Sequence, residues 1–361
     1  MKDISIIFKF LSASISGSID DLVQCLPLSD IQWNVILQQS TDHRVCGLVC
    51  SVIEKLPPCL APPTDILLQF YGNKIQQIDD YNKKLQTARL FTFALHERGV
   101  EMVVLKGVAF GTYYDDPTLR DFGDCDCYLG EKQIIGDQVC AQLGGGVEHG
   151  TYKHSHLNLN NLLIENHRFF TDFNGTKQGK KIEEILEKEL NVGANSYIGD
   201  TKMICPNPRF NALFLLKHHL TDFLEEGMVL RMIFDWTCLL KKEQNNIDWQ
   251  SLYEEMTECG LRNFADVLTS ISVKYIGLEL TNTSITLSPF DSLVNDVITD
   301  TLFNTVRMKQ GESMLYKMKR ILFRFKRMWH FRKLSYETYP MMFINSFLFC
   351  YSIRRNINLS R

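Results

Sequence analysis

The sequence predicts an α+β protein, with a small mixed α/β sheet core flanked by two helical regions. Three observations predict it. Apolar residues recur at helical spacing through "IQWNVILQQSTDHRVCGLVCSVIEKL". The period shortens to that of strands from residue 100 to about residue 170. It lengthens again after Asn207-Pro208. At 361 residues the chain can form two or three packed subdomains. Its 45% hydrophobic and 22% charged residues are those of an ordinary globular protein.

The elements follow in order. The start, "MKDISIIFKFLSASISGS", reads as an amphipathic helix. Asp3, Lys9 and the serines break it too often for a signal peptide. "PPCLAPP" interrupts the helical pattern, and a long helix runs from Asp65 to about Arg98, with Gly99 in the usual C-terminal glycine position. "VEMVVL" is a short strand, "KGVAFGTYYDD" a turn into a helix, and "DCDCYLG" a second strand. "EKQIIGDQVCAQLGGG" is a helix ending in glycines, and "HSHLNLN" and "LLIENHRFF" are strands joined through Asn160-Asn161. This βαβαββ order gives the small sheet. Asn207 then caps a helix that Pro208 begins, and Asp248 caps a later one. The chain divides into a helical region 1–98, an α/β core 99–205, a helical region 206–310 and a basic amphipathic segment 311–361.

Charge and cysteine content set the compartment. A net charge of −3 gives no overall bias toward nucleic acid or membrane. The 11 cysteines are odd in number and form no C-x-x-C pair, which argues against disulfides and zinc knuckles and for a reducing cytoplasm. "YPMMFINSFLFCYSI" is uncharged but shorter than the roughly 20 residues a spanning helix needs, so it reads as a buried or interfacial helix. Residues 315–333 interleave Lys317, Lys319, Arg320, Arg324, Lys326, Arg327, Arg332 and Lys333 with apolar and aromatic residues. As a helix this suits an anionic membrane surface or anionic partner, which would place the protein at the inner face of the membrane. The alternative is a helix docked on the body. No RNA-binding motif accompanies the segment, which disfavours nucleic acid.

The chemistry concentrates in the sheet. Side chains alternate along a strand, so Asp124 and Asp126 share one face while Cys125 and Cys127 take the other. Two carboxylates so close cannot both stay ionised cheaply without a cation between them, and Mg²⁺ takes carboxylate oxygens, water and substrate phosphates. Alone, Asp-x-Asp also describes a solvated strand end. "LKG" offers Lys106 and a glycine turn suited to phosphates, or else an ordinary strand-to-helix turn. Arg120 suits bidentate phosphate binding, or a salt bridge to Asp121 or Asp116. Glu165 stands mid-strand in an apolar run, on the face of His167, and is costly to bury unless paired. His149, His154, His156 and His167 make a histidine-rich stretch that would hold zinc only if two or three converge. Arg231 and Asp235 are one helical turn apart and read as support for the site, and His218 and His219 as core or surface residues unless they approach a nucleotide.

In combination, "VVLKG", "YYDDPTLRDFGDCDCYLG" and "LLIENHRFF" resemble the uncharacterised nucleotidyltransferase family of the DNA polymerase beta-type superfamily. "IQWNVILQQSTDHRVCGLV" and "FLLKHHLTDFLEEGMVLRMIFDWTCLL" are similar to its N- and C-terminal helical regions, so the resemblance runs from about Asp30 to Leu268. It implies a polymerase beta-type nucleotidyltransferase sheet core and an enzyme moving a nucleoside monophosphate from an NTP to a hydroxyl-bearing acceptor. It implies that Asp124 and Asp126 hold Mg²⁺ (or Mn²⁺), that Glu165 is the third metal ligand or the base, and that Lys106, Gly107, Arg120 and His167 contact the nucleotide. A glycan precursor, small molecule, protein or RNA is the implied acceptor. The competing expectations are a catalytically inactive nucleotide-binding or interaction protein and a nucleotidyltransferase-type toxin. Two departures stand out. The superfamily's usual Gly-Ser or Gly-Gly turn is Lys-Gly here, and Asn166 replaces an apolar residue, with its side chain expected to face away from the site.

Overall fold

The computed structural model describes residues 2–150, 152–171, 177–303, 322–323 and 325–334. The apolar run at 339–353, and residues 315–321 and 324 of the basic stretch, lie outside them. In chain order the helices and strands are α1 (Lys2–Ser16), α2 (Asp20–Val23), α3 (Asp30–Asp42), α4 (Cys46–Ile53), α5 (Thr64–His96), β1 (Met102–Val104), α6 (Val108–Gly111) and β2 (Asp124–Tyr128). There follow α7 (Gln133–Gln142), β3 (Gly146–Glu148), β4 (His154–Leu159), β5 (Leu162–His167), α8 (Lys177–Val192), β6 (Ser196–Tyr197) and β7 (Met203–Cys205). The chain then runs through α9 (Pro208–Glu225), α10 (Leu230–Glu243), α11 (Trp249–Glu258), α12 (Arg262–Lys274) and α13 (Asp291–Phe303). This is the expected α+β architecture, with helices flanking a mixed sheet.

The expected caps and turns form where local chemistry sets them. The Asn207 side chain accepts hydrogen bonds from the backbone N–H groups of Arg209 and Phe210, and Asp248 accepts from that of Ser251. Replacing Asn207 by Ala should cost about 1–2 kcal/mol, read by denaturant unfolding, because its amide also donates to the Glu189 carbonyl. Gly99 takes a φ of 67° just past α5. Asn160 and Asn161 both have positive φ, 48° and 64°, as a two-residue type I′ hairpin turn requires.

The sheet has the order β3-β4-β5-β2-β1-β7-β6. β2 pairs parallel with β5 and antiparallel with β1, and β4 pairs antiparallel with β5. Four of these strands match expectation; β3, β6 and β7 are additions, each only two or three residues long. One sheet face buries Val104, Cys125, Cys127 and Ile164 in an apolar core shared with Phe91 and Leu95 of α5 and Cys140 of α7. The other face carries Val103 and Tyr128 toward a second, larger core. There Tyr128 stacks on Phe170, which meets Phe210 of α9 edge-on.

That larger core joins the two ends of the chain. Phe10 and Trp33 from the N-terminal helices pack with Trp236, Trp249 and Phe264 from the C-terminal ones. The α1 residues Ile7, Phe10 and Leu11 are fully buried, as an amphipathic helix built into the body would be. Of the basic stretch, Arg327 is buried: its guanidinium donates to Asp300 and to the Phe223 carbonyl. This part of the segment is therefore docked on the body. No helix of the described residues is long and apolar enough to cross a membrane.

Candidate active site

The site is built on β2 and β5. Period-two alternation puts Asp124 and Asp126 on the face opposite Cys125 and Cys127. The parallel register sets Asp126 beside Glu165 and Tyr128 beside His167. Carboxylate oxygens of Asp124, Asp126 and Glu165 lie within 4.8 Å of one another. Asn166 points the other way, and its amide donates to the Gln133 carbonyl and to Asp137 on α7.

Three cationic or polar groups converge on the carboxylates. Lys106 Nζ is 2.9 Å from Asp126 Oδ1. His167 Nε2 is 3.3 Å from the same oxygen and 3.3 Å from Glu165 Oε2. His218 of α9 reaches Lys106 at 3.3 Å and Asp222 at 3.0 Å. The structure thus brings together Asp124, Asp126, Glu165, Lys106 and His167, and adds His218 and Asp222.

Charge in the site is strongly redistributed. Burial would raise the carboxyl of Asp126, but Lys106 and His167 hold it well below the usual range. Burial and the neighbouring Asp126 raise that of Asp124. Burial would lower the ammonium of Lys106, yet Asp126, Asp124 and Glu165 together carry it above the lysine range. Burial would raise the carboxyl of Glu165, but the hydrogen bond with His167, together with the charges of Lys106 and His154, lowers it. Asp126 and His167 are each only 1% exposed. Asp126 Oδ2 is buried and has no hydrogen-bond partner among the described residues. An unpaired buried carboxylate oxygen beside two further carboxylates is a donor set that fits a hard divalent ion such as Mg²⁺.

Arg120 goes elsewhere. Its sequence expectation was a phosphate contact, but the side chain is 3% exposed and forks onto Asp235, with Nε at 2.8 Å from Oδ1 and Nη2 at 2.9 Å from Oδ2. Nη1 donates to the Gly107 carbonyl at 3.0 Å. Tyr114 and Arg231 also donate to Asp235, at 2.7 and 3.2 Å. Asp235, fully buried, therefore anchors the Gly107 turn to α10 through Arg120. Neither Asp121 nor Asp116 is the partner; Asp121 lies against Arg44.

Gly107 opens α6 with φ 57° and ψ −111°, a region open to glycine alone. A Cβ there would also stand 3.2 Å from the Asp124 carbonyl oxygen. Gly107→Ala should therefore destabilise the fold by about 1–3 kcal/mol and displace the Asp124 backbone, measurable by denaturant unfolding. α6 has four residues, too few for a sizeable helix dipole, so the positive charge at this turn is that of Lys106.

A family model described as an uncharacterised nucleotidyltransferase matches residues 29–277 of the chain. No curated protein and no solved structure matches it.

Proposed function

We infer the activity from the premise that this chain belongs to the uncharacterised nucleotidyltransferase family, and that membership supports a general role in nucleotidyl transfer. The finer reading is Mg²⁺-dependent transfer of a nucleoside monophosphate from an NTP to a hydroxyl group. The observation that carries it is the convergence of Asp124, Asp126 and Glu165 beside Lys106, with one buried Asp126 oxygen unpaired.

Asp124 and Asp126 would hold the metal, with Glu165 as the third carboxylate. The bound ion would supply charge stabilisation at the α-phosphate and its leaving pyrophosphate. Lys106 exchanges its contact with Asp126 for a triphosphate oxygen. Glu165, ionised at neutral pH and half-buried, accepts the proton of the incoming hydroxyl. His167 fixes the orientation of Asp126 and Glu165. Arg120 acts through Gly107, whose carbonyl it holds, and not by touching phosphate.

Thermal unfolding with each of the four NTPs, with and without Mg²⁺, tests binding. A ligand at 100 times its dissociation constant adds about 2.7 kcal/mol, a rise of a few degrees for a chain of this size. Pyrophosphate release is then followed with the preferred NTP and candidate acceptors: sugar phosphates, aminoglycoside-like small molecules, protein and RNA. Saturable binding with no release on any acceptor would favour a nucleotide-binding role. No shift with any NTP would sink both.

A further inference from the structure

The proposed transfer leaves β4 unused, yet β4 lines the same site. The antiparallel register of β4 and β5 sets His156 beside Glu165 and His154 beside His167. Glu165 and His167 are therefore flanked on one side by Asp126 and Tyr128, and on the other by two histidines. Ligand atoms of His154, Glu165 and His167 all lie within 4.8 Å of one another. His156 Nε2 is 3.0 Å from His154 Nε2 and 3.9 Å from Glu165 Oε1.

These distances suit one ion. A tetrahedral ion with bonds of about 2.0 Å sets its ligand atoms about 3.3 Å apart. His167 Nε2 and Glu165 Oε2 already stand at 3.3 Å. His167 is also oriented as a metal ligand needs: its Nδ1 lies 3.1 Å from the Phe169 carbonyl oxygen, which can only accept, so Nδ1 carries a proton, and Nε2, turned toward Asp126 and Glu165, is the atom that would release its proton to ligate an ion. His154 Nδ1 is buried with no hydrogen-bond partner among the described residues. The Nε2 atoms of His154 and His156 face each other at a distance that admits one proton between them. Two imidazoles and a carboxylate, with a third imidazole alongside, form a softer set than the carboxylates across the strand.

We propose that His154, His167 and Glu165, with His156 adjacent, bind a divalent transition ion of the Zn²⁺ class. This site is distinct from the Asp124–Asp126 pair and shares Glu165 with it. Glu165 is then common to a hard-ion position and a soft-ion position. Occupation of the soft position draws on the carboxylate that the transfer reaction would use as base. The inference shares Glu165 and His167 with the proposed transferase reading, and its test needs no transferase activity.

Zn²⁺ is titrated into metal-free full-length protein against a chromogenic chelator, with Co²⁺ absorption as a second readout. Wild type is compared with His154→Ala, with His154→Gln should the first fold poorly by circular dichroism, and with Asp124→Asn. The exposed thiols of Cys25 and Cys59 would bind equally in all, so the difference between proteins reads the cluster. The expected result is one wild-type site weakened at least about 100-fold by the His154 substitution and changed less than about threefold by Asp124→Asn. The visible Co²⁺ bands of a nitrogen–oxygen site should disappear with His154. Equal Zn²⁺ binding in wild type and the folded His154 variant would overturn the proposal. So would loss of the site in Asp124→Asn, which would place the ion on the aspartates. If the soft ion is absent and Mg²⁺–NTP still shifts the melting curve, the transferase reading stands without it.

Discussion

Asp126→Asn is expected to abolish the Mg²⁺-dependent NTP shift and to lower pyrophosphate release by three orders of magnitude or more, about 4 kcal/mol of lost transition-state stabilisation. The amide keeps the shape of the side chain and removes its charge. Of the three clustered carboxylates Asp126 is the most buried: it is 1% exposed, paired with Lys106 and His167, and keeps one oxygen unpartnered. The variant should still fold, because Lys106 retains 15% side-chain exposure and can turn to solvent. Single-turnover assays with the preferred NTP and acceptor give the rate, and thermal unfolding gives the shift. A variant that retains more than a tenth of wild-type release would remove Asp126 from the chemistry.

The largest effect on stability should come from Asp235→Ala. It leaves the buried guanidinium of Arg120 without its counter-ion, and removes the acceptor of Tyr114 and Arg231. Breaking one partner of such a buried network costs about 3–5 kcal/mol. That corresponds to a melting point lower by roughly 4–7 °C for a chain of this length. Asp235→Asn adds a pH signature. Burial would raise the Asp235 carboxyl, but Arg120 and Arg231 hold it below the usual range. A depressed native pKa means the contribution is complete above the unfolded value of about 3.9, and is lost as pH falls through the lower folded value. The stability of the wild type should therefore fall more steeply below pH 4 than that of Asp235→Asn, measured by urea unfolding at stepped pH. Parallel acid profiles would contradict the charged pairing.

Much of the site could be read from the chain because strand periodicity is local. Asp124 and Asp126 share one face of β2, and Glu165 and His167 one face of β5, by alternation alone, and the Asn160-Asn161 turn fixes the β4–β5 hairpin that carries the second pair. The parallel pairing of β2 with β5 could not be read this way, because no turn links the two strands and register is set by the packed sheet. The strands β3, β6 and β7 are too short to show a period. α8 did carry a signal, with Ile182, Ile185, Leu186 and Glu189 at helical spacing on its buried side, that the strand-dominated reading passed over. Arg120 was misdirected for a different reason. Its partner stands 115 residues away, and no local pattern distinguishes a phosphate-binding arginine from one buried against a distant aspartate. His218 was open to either reading; only the docking of α9 brings it to Lys106.

The attachment of the Gly107 turn to Asp235 also has a consequence for the order of events on the ribosome. The strands bearing Asp124, Asp126 and Glu165 emerge first, but Arg120 meets its anion only after α10 has been synthesised. Until then a nascent chain lacks the anion that holds Arg120 against the Gly107 carbonyl. Its amino-terminal helices likewise await Trp236, Trp249 and Phe264 to complete their shared interior. The Arg120–Asp235 attachment of this turn is thus completed only after translation passes codon 235, and chains released before that point should lack it.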